Sequence, residues 1–371
     1  MSTPTAPAFI PQMRPLFGAA EKAELMAYLD EDGFYTEFRK TEAFERAIAA
    51  FTGARHCIVV NNGTVSLTLA AIALGIGPGD EVIVPDYTMI ATPNSVKMLG
   101  AMPVFVDVEP DTLVMDLALV RRAITPRTKA IMLVSANGRA PQAGIAAWEA
   151  LSRETGLPLI EDAAQSLGSF YADGRHVGRA GAIGSFSFSA PKIISTGQGG
   201  ALVTDDDALA GKLRRLKDFG RAAGGTDVHD SIGYNFKFTE LQACVGLAQM
   251  GQLAGRIQRK KAIWQRYADG LAGVDGISLF NHDLALCTPW FIDCRATRRD
   301  ELAAHLKTQG IGTRTMYPPI HQQAAYGVPG AHPVAEEIGR CGLWLPSMVQ
   351  LTDAQIDQIC GEIATFYRAP R

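Results

Sequence analysis

The chain has no cysteine pair spaced as CxxC and no histidine pair spaced as HExxH; its six cysteines, at 57, 244, 287, 294, 341 and 360, are scattered over 371 residues. The common zinc signatures are therefore missing, and no metal is expected. Nor is there a disulfide framework, so the cysteines read as small core residues of a reducing cytoplasm. Blocks of basic residues are also lacking. The 35 lysines and arginines face 38 acidic residues, for a net charge of −3, which leaves no electrostatic footprint for nucleic acid. Polar residues interrupt every apolar stretch before it reaches the roughly 20 residues of a membrane helix, so no membrane partner is expected. The opening MSTPTAPAFIPQMRP has no basic stretch followed by an apolar core, which predicts no secretion signal and a cytoplasmic protein.

What remains is globular: 47% of the residues are hydrophobic and 20% charged, and the length suffices for one large domain and a smaller one. Short runs rich in valine and isoleucine (HCIVV, EVIVP, PVFVDV, AIMLVS, LPLIED, SFSFS, ALVTD) recur with helical stretches between them. That alternation predicts an α/β fold with a mostly parallel central sheet and helices on both faces. Near residue 250 the character changes. QLAGRIQRKKAIWQRYADGLAG reads as one long amphipathic helix, with the basic RIQRKKAIW on its solvated face. TPWFIDCRA, RDELAAHLKTQGI and TDAQIDQICGEIATFY then suggest a smaller α/β domain. The division expected is 1–250, with an N-terminal arm, and 251–371.

Ligands of such sheets bind beyond the carboxyl ends of the strands, and four stretches place polar residues there. In VVNNGTVSLTLAAIALG a strand ends at Asn61-Asn62-Gly63-Thr64 and a helix begins at once. This is either a phosphate site or a plain N-cap by Asn62 or Thr64. LPLIEDAAQSLGS delivers Glu161 and Asp162 to a strand end, where a carboxylate can pair with a protonated ring nitrogen, cap a helix or bind a metal. GSFSFSAPKIISTGQGG sets Lys192 between an alternating apolar run and a glycine-rich turn, with Ser187 five residues before it. Lys192 is either a surface lysine or a desolvated amine fit for a Schiff base. SIGYNFKFTELQACVGLAQM carries Asn235 in a polar-aromatic loop ahead of a helix starting near Thr239. In order, a phosphate turn, a strand-end aspartate, a serine and a lysine are the parts a pyridoxal phosphate site requires.

These stretches, with GIGPGDEVIVP, ITPRTKAIM and YPPIH, follow one another in the order seen in the DegT-type nucleotide-sugar aminotransferases. The chain resembles that fold-type I, pyridoxal phosphate-dependent family over nearly its whole length. The resemblance implies that Gly63, Thr64 and Ser187 hold the cofactor phosphate, Asp162 its ring nitrogen, and that Gln165 lies near the ring hydroxyl. Lys192 would form the Schiff base and shuttle protons. Asn235 would reach the cofactor of a partner subunit, making a homodimer with shared sites. Tyr35, Tyr317 and His321 would line the substrate side. L-Glutamate would be the donor, pyridoxamine phosphate the intermediate cofactor form, and a nucleotide-linked 4-keto-6-deoxy sugar the acceptor, for surface polysaccharide or amino-sugar synthesis.

Two departures from the family pattern bear on the substrate. Met89, in PDYTMIATPNS, stands where an aromatic residue is usual, and it offers a thioether to the ring face. Ser135-Ala136-Asn137-Gly138-Arg139 replaces a histidine and tyrosine around a glycine. Asn137 and Arg139 thereby become candidate substrate contacts, and an arginine there could bind an anion. This motivates an alternative acceptor, a small keto-phosphate such as dihydroxyacetone phosphate. A cofactor-binding protein without turnover is the other alternative. Relatives that act as 3-dehydratases carry histidine at the lysine position, so Lys192 favours transamination.

Overall fold

The computed structural model describes residues 9–31, 33–223 and 226–369. The first eight residues, on which the expectation of no secretion signal partly rests, lie outside them. Eleven strands and eleven helices are found among the described residues. The strands are β1 (His56–Val60), β2 (Glu81–Pro85), β3 (Met102–Val106), β4 (Thr128–Val134), β5 (Leu159–Asp162), β6 (Ile183–Ser187), β7 (Gly200–Thr204), β8 (Ile277–Leu279), β9 (Ile292–Ala296), β10 (Arg314–Thr315) and β11 (Gly342–Leu345). The helices are α1 (Ala19–Asp30), α2 (Arg39–Thr52), α3 (Gly63–Ala73), α4 (Ala91–Lys97), α5 (Leu117–Ala123), α6 (Ile145–Thr155), α7 (Asp207–Lys217), α8 (Glu240–Gly270), α9 (Arg299–Thr308), α10 (Pro333–Cys341) and α11 (Asp353–Arg368).

The first seven strands form one sheet in the order β1-β7-β6-β5-β4-β2-β3. Only β7 runs against its neighbours, pairing antiparallel with β1 and β6, so the sheet is mostly parallel as the sequence pattern predicts. Alternate residues feed two cores on opposite faces. Cys57, Val59, Ile131 and Leu133 enter one, and Ile58, Val60, Ala130 and Met132 the other. Both faces are dry, which is why these strands read as unbroken apolar runs. Because β1, β2, β4, β5 and β6 point the same way, Asn61, Asp86, Ser135, Asp162 and Ser187 all arrive at one sheet edge. The antiparallel β7 starts at that edge, with Gly200 opposite Val60.

The second sheet, β10-β11-β9-β8, is antiparallel and packs with α9, α11 and the end of α8 around a third core. The boundary expected at 250/251 falls inside α8. This helix is capped at its start by Thr239, whose hydroxyl accepts from the Gln242 N–H, and it runs unbroken for 31 residues. Its first half gives Ala243 and Leu253 to the large core, and its second half gives Ile263 and Tyr267 to the small one. Ile10 also enters the small core, pairing through its backbone with Gly310 and Gly312, so the N-terminal arm is fastened to the smaller unit. The basic run of α8 is not uniformly solvated. Arg256 and Lys260 turn inward, and Lys260 donates to the Ser347 carbonyl at 2.5 Å. Burial draws its ammonium down to about 7. All six cysteines are free thiols.

Candidate active site

At the carboxyl edge of the large sheet lies a cavity of about 720 Å³. Its wall includes Gly63, Thr64, Met89, Asp162, Gln165, Ser187 and Lys192. Tyr317 and Arg314 close it from the smaller unit. Sequence reasoning missed Arg314, because only the pairing of β10 with β11 brings it to the large sheet.

The Gly63 end is a helix N-terminus. Asn62 caps α3 by accepting from the Val65 N–H at 2.9 Å, which leaves the Gly63 and Thr64 N–H groups without intrahelical acceptors. A Cβ on residue 63 would lie 2.8 Å from the Cβ and 2.9 Å from the Oγ of Ser187. Glycine is required by that close approach. The result is a concave cluster of two N–H groups and two hydroxyls, on the positive end of a helix dipole.

Asp162 and Glu161 part company at the end of β5. Glu161 faces away from the cavity and is consumed by the Tyr171 hydroxyl at 2.5 Å and by the N–H groups of Gly178 and Gly181. Asp162 faces the cavity, accepting from Thr92 Oγ1 at 2.8 Å and from the Ala164 N–H at 3.2 Å. Burial pushes its carboxyl up, while those hydrogen bonds and the charge of Lys192 pull the other way. Lys192 sits under Trp290, its Nζ 4.4 Å from the ring centroid, with Trp290 held by a 2.8 Å bond to the Pro191 carbonyl. Desolvation lowers the Lys192 amine to about 8, opposed by the carboxylate of Asp162. Gln165 accepts from the Asn137 N–H through Oε1 at 2.7 Å, which fixes its amide.

Several expected substrate residues lie elsewhere. The side chain of Asn137 is buried and spans to the backbone of Phe291, accepting from its N–H at 2.7 Å and donating to its carbonyl at 2.9 Å. Arg139 is only 4% exposed. Its guanidinium is paired with Asp293 at 2.8 Å and donates to the Thr112 carbonyl and toward His282. Asp293, held well below the usual carboxylate range by this neighbour against the cost of burial, absorbs the charge that an anionic substrate would have used. Arg139 is therefore a buried structural cation. The side chain of His321 is also turned away from the cavity, with Nδ1 2.6 Å from Asp86 Oδ2. Asp86, His321 and His332 bring ligand-type atoms within 4.8 Å of one another, but the first two already satisfy each other. Tyr35 and Asn235 are exposed and lie outside the cavity wall. Both stand beside the start of α8, where the Tyr35 carbonyl accepts from the Glu240 N–H.

The model of the DegT/DnrJ/EryC1/StrS aminotransferase family matches residues 17–364. The chain belongs to that family. It is an aminotransferase, and the family and its structural neighbours are pyridoxal phosphate-dependent. GDP-perosamine synthase of Escherichia coli O157:H7 is 36% identical over 363 residues, covering 97% of this chain and 99% of that protein. The dTDP-3-amino-3,4,6-trideoxy-alpha-D-glucose transaminase of Streptomyces venezuelae is 38% identical over 334 residues, covering 88% and 87%. Among solved structures, S. venezuelae DesV in complex with a ketimine intermediate superposes with a TM-score of 0.89 at 35% identity, over 97% of this chain and 100% of that one. No helix among the described residues is long and apolar enough to cross a membrane.

Proposed function

We propose that this aminotransferase holds pyridoxal phosphate in the 720 Å³ cavity and moves an amino group from L-glutamate to the keto carbon of a nucleotide-linked 4-keto-6-deoxy sugar. The observation that carries the reading is the convergence of Lys192, Asp162 and the Gly63–Ser187 cradle on one cavity, in a chain of this family. The donor set fits the group. Two helix N–H groups with the Thr64 and Ser187 hydroxyls suit a phosphate, a buried carboxylate suits a protonated ring nitrogen, and a desolvated amine suits an aldehyde.

When bound, the cofactor supplies an electrophilic carbon and an electron-withdrawing ring that stabilises negative charge on the donor's α-carbon. The protein's own work is narrower. Asp162, fixed by Thr92 and Ala164, would hold a proton on the cofactor's ring nitrogen. Lys192, the desolvated amine on the wall, would hold the cofactor's aldehyde carbon. Its amine, lowered to about 8 by desolvation, would take a proton from the donor's α-carbon and return it to the carbon of the cofactor. Trp290 covers one side of Lys192. In balance, L-glutamate gives up its amino group and leaves as 2-oxoglutarate with one water taken up, and the keto sugar accepts that group and leaves as an amine with one water released.

The relatives named above act on nucleotide-linked sugars, which supports the acceptor class. The small keto-phosphate alternative rested on Arg139, and with that guanidinium held by Asp293 it loses its motive. Exposure of Asn235 and Tyr35 beside α8 supports a homodimer in which these residues serve a partner's site. Six free thiols and the absence of a spanning helix among the described residues support a cytoplasmic setting.

The test separates the two halves of the reaction. The loaded protein is converted with L-glutamate, the donor is removed, and return of the original absorbance is followed with GDP- or dTDP-linked 4-keto-6-deoxy hexose and, separately, dihydroxyacetone phosphate. Recovery with a sugar nucleotide and none with the triose phosphate is expected. Recovery with the triose phosphate alone would overturn the acceptor.

A further inference from the structure

The stretch Ser135–Arg139, which departs from the family pattern, follows β4 as a single tight turn. Its central residue, Asn137, has a left-handed backbone with φ 54° and ψ 29°. Asparagine is among the few residues that take this conformation readily. Asn137 is buried, and each of its polar groups has a partner. Its N–H donates to Gln165 Oε1 at 2.7 Å. Its side-chain amide spans the Phe291 backbone, with Oδ1 accepting at 2.7 Å and Nδ2 donating at 2.9 Å. Its carbonyl accepts from Cys287 Sγ at 3.7 Å. Phe291 stacks on Trp290, with ring centroids 3.8 Å apart and planes 18° from parallel. Trp290 in turn donates to the Pro191 carbonyl and lies over Lys192 Nζ. Gln165, Lys192 and Trp290 meet around one gap of about 10 Å³, room for a single water at most.

We infer that Asn137 is a positioning residue for Lys192: its buried amide grips the segment that carries Trp290, its backbone N–H grips Gln165, and together they fix two groups that border the amine. The inference deepens the aminotransferase reading above and rests on it only for the kinetic half of its test. Phe291 is the residue before β9, and its N–H and carbonyl both go to Asn137, where a ladder partner would otherwise take them. Asn137 belongs to the large sheet and Phe291 to the second one, so the amide is a pin between the two units beside the site. A two-way amide bond fixes direction as well as distance. Phe291, and the Trp290 ring stacked on it, cannot turn without losing both bonds. An amine that moves a proton between two carbons needs its neighbours held to a fraction of an ångström. A purely structural pin would strengthen the joint and leave Lys192 unchanged, so the two roles separate at Lys192.

The experiment compares wild type, Asn137→Gly, Trp290→Ala and the double variant. Asn137→Gly keeps the left-handed backbone and the N–H to Gln165, and it deletes the grip on Phe291. In cofactor-free protein at pH 9, above the value of about 8 to which burial brings the amine, acetic anhydride labels Lys192, and mass spectrometry reads the rate against exposed lysines. Labelling is expected to rise about fivefold or more in Asn137→Gly, in line with local opening after the loss of two hydrogen bonds. Lys217, buried and paired with Glu37 and Glu45, should label as in the wild type, which separates opening at the site from general loosening. In the loaded protein the limiting rate of conversion by L-glutamate should fall about tenfold, with half-saturation within about threefold of wild type. Adding Asn137→Gly to Trp290→Ala should change neither rate by more than about twofold, because the grip then has nothing to hold. Asn137→Asp keeps the acceptor for the Phe291 N–H and should show a smaller change in the same direction; it takes over the test if Asn137→Gly does not fold. Unchanged labelling of Lys192, equal rises at Lys192 and Lys217, or effects that multiply in the double variant would overturn the inference. A wild type converted by no amino acid would sink the aminotransferase reading instead, and the labelling would still decide this one.

Discussion

Gly63 and Ser187 approach so closely that a Cβ on the first would sit 2.8 Å from the Cβ of the second. The contact joins the first turn of α3 to the end of β6, and it shapes the cluster proposed above to hold the phosphate.

Gly63→Ala should push these elements apart or displace the Ser187 side chain. Overpacking of this kind costs about 1–3 kcal/mol, too little to unfold a domain of this size but enough to spoil an anion site. Affinity for pyridoxal phosphate, measured by fluorescence titration, is expected to drop at least tenfold. Unaltered affinity would mean that the phosphate sits elsewhere.

Lys192→Met should remove the covalent link while leaving the cavity. Borohydride reduction of the wild type is expected to attach the cofactor to the peptide containing Lys192, as read by mass spectrometry. In the variant the cofactor should stay dialysable, with transamination reduced by about three orders of magnitude or more.

Mixing tests the shared site. If the proposed homodimer forms, Lys192→Met and Asn235→Ala proteins, each nearly inactive, should regain activity when their subunits are exchanged, because one of the two sites in the hybrid then has both residues intact. No recovery, with exchange verified by mass, would place Asn235 outside any partner's site.

The buried pair of Arg139 and Asp293 gives a prediction about stability. Asp293→Ala leaves an unpaired guanidinium in the interior and should cost about 3–5 kcal/mol, seen as a lower urea midpoint. Removing both charges with Arg139→Met and Asp293→Leu should restore much of this. Neither change should turn the enzyme toward dihydroxyacetone phosphate; a gain of that activity in Arg139→Met would show that the arginine shapes the acceptor choice.

Stability should also decline in mild acid. Burial lowers both His176 and His282 to about 4, from an ordinary value of 6.5. Between those values the unfolded chain binds more protons than the folded one, so stability falls as pH falls through that window. About 1–2 kcal/mol per histidine should be lost between pH 7 and pH 5, measurable from urea midpoints at the two values. A flat profile would show that one or both rings are protonated in the fold.

The parts of the site that were legible in the sequence share one property. Gly63, Asp162, Ser187 and Lys192 stand at or just beyond the ends of apolar runs, and the parallel sheet carries those ends to one edge. Residues whose role depends on a distant partner were not legible. Arg139 looked available for an anion because Asp293 lies 154 residues away and nothing local announces the pair. Arg314 was passed over because a two-residue strand carries no periodicity, and its place on the cavity wall comes from the packing of the second sheet. The domain boundary was drawn through α8 because an amphipathic helix keeps its 3.6-residue rhythm when the core beneath it changes.

That continuity of α8 bears on how substrates are admitted. A single rod embedded in both cores ties the wall bearing Lys192 to the wall bearing Arg314 and Tyr317, much as a common spine fixes two covers of a book held half open. The two walls are thereby joined through one buried helix and not only through a loop.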